Sequence, residues 1–120
     1  MAGMQLSKYL ILLYGGVEQA VTFPAHVQHK DVWDYIRGES PNAEVLSAGF
    51  FADEAEGFWH GGVSETLKLA SRPQDGVLIR RMLDSRDRRN WDLRVLVWEA
   101  CESARRNGPK VQAPEVAMSL

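Results

Sequence analysis

The sequence predicts an α+β fold: an antiparallel sheet of about four strands in the order ββαββα, with one or two C-terminal helices packed on one face. Three observations carry this. Residues 8–14, KYLILLY, form a continuous apolar run of strand length, stopped by Gly15-Gly16. Residues 17–23 and 63–70 alternate apolar and polar side chains. Between and after them lie segments with helical spacing, the clearest beginning at SRPQD, 71–75.

The run 8–14 does not alternate, which predicts a central strand covered on both sides. A two-residue Gly-Gly link to an alternating partner predicts a hairpin with a primed turn, because both linking residues then need positive φ. Pro24 ends the second strand, since it has no N–H for the ladder. In AHVQHKDVWDYIRG, Val32, Trp33 and Ile36 share a helical side, which predicts a helix over about Gln28–Arg37 with Gly38 as its stop. A third strand is expected over Glu44–Asp53, then an acidic tip. A fourth is expected within Phe58–Ala70, bulged at Gly61-Gly62 and ending in a stretch with Ser64 and Thr66 on its outer face. Ser71 reads as a helix cap, with Pro73 in the first turn and Gln74 placed for a reciprocal bond. Val77, Leu78, Met82 and Leu83 supply that helix's apolar stripe. Residues 91–106 fit a strand over four alternating positions. The stripe Leu93, Val97, Ala100, Cys101 and Ala104, and the Asn107-Gly108 stop, favour a helix.

The expected core is Leu10, Leu12, Val21, Phe23, Val32, Ile36, Val45, Phe50, Leu67, Leu69, Leu78 and Met82, joined by Leu93 and Val97. One domain spans 1–108, with 84–108 as a helical addition and 109–120 as a flexible tail. No apolar run approaches the ~20 residues of a membrane helix. The N-terminus makes a poor signal peptide, and a single cysteine fits a reducing cytoplasm.

Charge is unevenly spread. Residues 1–71 carry four basic and nine acidic side chains; residues 72–106 carry nine arginines and six acids. Arg80, Arg81, Arg86, Arg88, Arg89 and Trp91 are therefore candidate partner contacts. So are the acids Asp53, Glu54 and Glu56 at the hairpin tip.

Catalytic constellations are scarce. Gly62-Val63-Ser64-Glu65-Thr66 lacks the second glycine of a nucleophile elbow, and alternating strand rather than helix follows it. His26, His29 and His60 are the only histidines; with Asp31 or Asp34 they could hold zinc, although spacing of three between two histidines arises readily by chance. The tip acids have nothing nearby to raise a pKa for acid–base work. No cofactor motif occurs.

Several short motifs look familiar together. KYLILLYGGVEQAVTFPAHVQHKDV, then LSAGFF, then GGVSETLKLASRPQD before a helix resembles small uncharacterised proteins of bacterial, phage and prophage genomes. The likeness covers about residues 8–83. It implies a small cytoplasmic protein of mobile-element origin that binds a host protein, for example as an inhibitor of a defence system; it brings no catalytic residue with it. The leading expectation is thus a non-catalytic binding protein with a protein partner. The alternative is a nucleic-acid-binding accessory protein using the arginine-rich segment 80–94, and the third reading is a small metal-dependent enzyme. A homodimer through the C-terminal helix is compatible with each.

Overall fold

The computed structural model describes residues 6–55, 57–84 and 94–106. Its elements are β1 (Ser7–Tyr14), β2 (Val17–Pro24), α1 (His29–Glu39), β3 (Glu44–Glu54), β4 (Gly57–Gly61), β5 (Val63–Ser64), β6 (Leu69–Ala70) and α2 (Asp75–Asp84). Residues 94–106 form a further helix, α3. The main sheet is antiparallel in the order β2-β1-β3-β4, and β5 pairs with β6 in a separate two-stranded ribbon. The α+β class is the one expected.

β1 is central, as its unbroken apolar run requires: Tyr9, Leu10, Ile11 and Leu12 are all fully buried. Gly15 and Gly16 join it to β2 at φ of +64° and +80°, the positive values a primed two-residue turn demands. α1 starts at His29, with Gln28 as its cap residue, and runs through Gly38 to Glu39. Glycine thus did not stop it; the Ser40 N–H closes the last turn on the Ile36 carbonyl at 2.7 Å.

The expectation that the helices share one face is corrected. Alternation along β1 sends Leu10 and Leu12 to one side of the sheet and Tyr9 and Ile11 to the other. On the first side, Val21, Phe23, Ala48, Val32 and Ile36 form a core with Val97 and Ala100 of α3. On the second, Ala20, Phe51 and Ile79 of α2 form another. α1 and α2 therefore cover opposite faces, because three short helices suffice for a narrow four-stranded sheet. The expected core left out Tyr9, Ile11, Ala20, Phe51 and Ile79 of the second face, and the smaller Val27, Ala43, Ala48 and Ala100 of the first. Correspondingly, Val77 and Leu83 of the expected stripe are exposed, and Ile79 is the apolar side chain of α2 that is fully buried. α3 follows its expected stripe, with Val97 and Ala100 buried and Cys101 and Ala104 packed beside them; Leu93 lies outside the described residues.

The segment after β4 also departs from expectation. Gly62 sits at φ +89° and redirects the chain, so β4 is broken there, not bulged. Residues 65–68 are a turn, not strand. Ser64 is buried and starts that turn: its Oγ accepts the Leu67 N–H at 3.2 Å and lies 3.3 Å from Thr66 Oγ1. Lys68, at φ +59°, completes it.

Candidate functional site

The structure separates the three histidines. His26 is exposed in the turn after β2. His29 is buried on the α1 side, its Nε2 2.9 Å from the Gly49 carbonyl and its ring edge-on to Phe23 and Phe50. That carbonyl can only accept, so Nε2 carries the proton. Burial pushes the His29 pKa down and nearby Lys8 adds to this, against the raising effect of the Gly49 bond. His60 pairs with Phe51 across β3 and β4 and so lies on the α2 side. Among the described residues no group of three or more His, Cys, Asp or Glu is placed to hold a metal. The three histidines are thus not gathered into one ligand set.

The tip acids Asp53 and Glu54 are exposed at the end of β3; Glu56 lies outside the described residues. Arg80 and Arg81 are exposed on α2, and the Arg80 guanidinium stands 5.2 Å from the centre of the Phe58 ring. Arg86, Arg88, Arg89 and Trp91 lie outside the described residues.

The sequence reading missed a polar cluster on the α2 side. Ser71 does not cap a helix with Gln74; α2 begins four residues later, at Asp75. The Asp75 side chain, fully buried, reaches back to accept the Arg72 N–H (2.9 Å, Oδ2) and Arg72 Nε–H (2.8 Å, Oδ1). Arg72 also bonds Glu18 of β2 at 3.1 Å. Tyr9 Oη lies 2.8 Å from Asp75 Oδ2 and 2.6 Å from Ser71 Oγ, and Ser71 Oγ lies 3.2 Å from His60 Nδ1. One phenol carries one proton, and an ionised carboxylate can only accept. Tyr9 therefore donates to Asp75 and accepts from Ser71, and Ser71 in turn accepts from His60 Nδ1–H. Burial pushes Asp75 up, but the bonds from Arg72 and Tyr9, helped by the buried Ser47 hydroxyl, hold it below the usual carboxylate value. Tyr9 is pushed well above the usual phenol value, first by burial and then by Asp75. The cluster fastens α2 to the sheet. With its proton turned to Tyr9 in this arrangement, Ser71 accepts from His60 and does not donate to it.

The second missed feature is a groove of about 490 Å³ along the outer side of β2. β2 contributes Ala20, Val21, Thr22 and Pro24; the end of α2 contributes Met82 and Leu83; α3 contributes Arg94, Val97, Trp98 and Cys101. Arg94 is the one charged residue among the described residues of that lining, and it donates to the Met82 carbonyl at 3.0 Å. Trp98 is 65% exposed, and Leu83 and Val95 beside it are also exposed. The sequence held one signal of this: Trp98 falls off the buried stripe of its helix. Of the other tryptophans, Trp33 packs partly buried on the first core and Trp59 is exposed.

No family model matches the chain, and neither does any curated protein or solved structure. No helix among the described residues is long and apolar enough to cross a membrane.

Proposed function

We propose that this protein works by binding another protein, and that the partner seats on the groove between β2, α2 and α3. The carrying observation is Trp98, a large apolar side chain left 65% exposed at the rim of an apolar groove that also holds an arginine. Tryptophan and arginine are the residues in which interface energy concentrates. The Ser71, His29, His60 and Asp75 groups that could suggest catalysis are instead taken up in bonds that hold α2 and α1 to the sheet. The resemblance to phage and prophage proteins supplies the context: a cytoplasmic factor that engages a protein of its bacterial host.

The test is an affinity pull-down from bacterial lysate with the tagged full chain, with and without nuclease, at low and moderate salt, alongside Trp98→Ala. The expected result is a stoichiometric protein band that survives nuclease and is lost with Trp98→Ala. A band unaffected by that substitution would move the interface off the groove. Nucleic acid recovered only at low salt would overturn the reading in favour of the arginine-rich segment. Light scattering on the purified chain decides whether the partner is a second copy.

A further inference from the structure

We infer that the groove receives an extended segment of the partner, which adds a fifth strand outside β2. This rests on the binding reading above and states the form the partner takes.

Tyr14 and Val17 face each other across a two-residue turn, so they exchange both N–H···O bonds, and such pairs recur at every second residue of an antiparallel ladder. Leu12–Gln19, Leu10–Val21 and Lys8–Phe23 are then the bonded pairs. The backbone groups of the residues between them on β2, namely Glu18, Ala20 and Thr22, point away from β1. β2 is the terminal strand of the sheet, so among the described residues no strand meets them. Pro24 has no N–H, and its carbonyl already accepts the Val27 N–H at 3.1 Å, which closes that end of the edge.

Ala20 and Thr22 both line the groove. Their outward N–H and C=O groups supply the ladder a fifth strand needs, and Glu18 to Thr22 spans about 13 Å at ~3.3 Å per residue. Edge strands are usually blunted by charged residues, proline or a bulge; Glu18 is taken up by Arg72, and residues 19–22 contain none of these. The opposite edge is a poorer template: β4 has five residues bounded by Gly57 and Gly61, with the Arg80 guanidinium over Phe58. Strand addition takes its affinity from the backbone and its specificity from alternate side chains. Here Leu83 and Trp98 offer the apolar contacts. The described lining is mainly apolar, so the occupant is an extended apolar segment.

The test uses the full chain to select from a displayed library of random twelve-residue peptides. Selected peptides are then measured against wild type, Thr22→Pro, Thr22→Val and Trp98→Ala. Thr22→Pro removes an outward N–H and leaves the ladder to β1 intact, as an edge position allows. The expected result is apolar peptides whose binding falls at least tenfold with Thr22→Pro and with Trp98→Ala and is kept by Thr22→Val. Hydrogen exchange at the Ala20 and Thr22 amides, slowed by bound peptide, gives the same reading on wild type should Thr22→Pro fail to fold. Binding lost with Trp98→Ala but kept by Thr22→Pro, or bound peptide that leaves those amides exchanging freely, would uphold the groove and overturn strand addition. A library that yields no binder would also overturn it, while the lysate experiment still decides the broader reading.

Discussion

The Tyr9 hydroxyl lies 2.8 Å from Oδ2 of Asp75, 66 residues later in the chain. Both side chains are fully buried, so neither has water to fall back on. Tyr9→Phe should lower unfolding free energy by about 2 kcal/mol, because it leaves a buried carboxylate short of a donor. Asp75→Ala should cost more, about 3 kcal/mol, since it also strips Arg72 of its closest charge partner. Urea unfolding of the two variants and the double variant measures the coupling; additive losses would refute the direct bond.

Stability should fall in two steps on acidification. The His29 pKa is lowered from 6.5, so below pH 6.5 the unfolded chain takes up a proton that the folded one resists, and stability drops. Asp75 is lowered from 3.8, so its contribution is present above about pH 4 and is lost below it. Denaturation midpoints from pH 8 to pH 3 should show both limbs, and His29→Gln should remove the upper one alone. An unchanged upper limb in that variant would assign it elsewhere.

Two glycines should respond in opposite ways. A Cβ at Gly49 would stand 2.8 Å from the Gly61 carbonyl oxygen and 3.2 Å from Tyr9 Cε2, with backbone on one side and the buried tyrosine on the other. Gly49→Ala should cost about 3 kcal/mol. Gly16 has open space around it and φ of +80°, which asparagine tolerates, so Gly16→Asn should stay within about 1 kcal/mol of wild type. Thermal melts compare them directly.

Trp98→Ala should leave stability within about 0.5 kcal/mol of wild type, as expected for an exposed side chain. A larger loss would mean that the indole packs inside this chain and is not available to a partner.

Cys101 should react slowly. Burial pushes its thiol pKa up, and Glu102 adds to this, so little thiolate is present at neutral pH. Iodoacetamide labelling at pH 7.5 should be at least tenfold slower in the folded chain than in urea.

The main elements were legible because they depend on local pattern: Gly15-Gly16 for the turn, the unbroken run 8–14 for a strand covered twice, and the Val97–Ala100–Ala104 spacing for α3. The second core face was legible only in β1, whose unbroken run marks it as covered twice; nothing in the local spacing of 71–84 says which side of the sheet its helix takes. Ser71, Arg72 and Asp75 read as a helix start, since capping bonds span three residues and leave a local mark. Their actual bonds reach Tyr9 and Glu18, more than fifty positions away, and such pairings leave no trace in spacing. The motifs Lys-Tyr, Ser-Ala-Gly-Phe and Ser-Arg-Pro-x-Asp have a common structural sense: Lys8 bonds the Val27 carbonyl, Gly49 meets His29, and Tyr9 meets Asp75. The groove was hidden for a related reason. It is lined from three elements, and only the off-stripe Trp98 marks it.

The central position of β1 sets a problem of timing. The β1–β2 hairpin is local and can close within microseconds once both strands exist. Its four fully covered residues, Tyr9 to Leu12, then wait for α1 on one side and for Ile79 of α2 on the other. At ribosomal rates of about 5–20 residues per second, the sixty residues from Pro24 to Asp84 take roughly 3–12 s. For that interval the nascent chain carries a sticky, half-covered ribbon, and anything that stalls translation in the middle of the message prolongs its exposure to other chains and to chaperones.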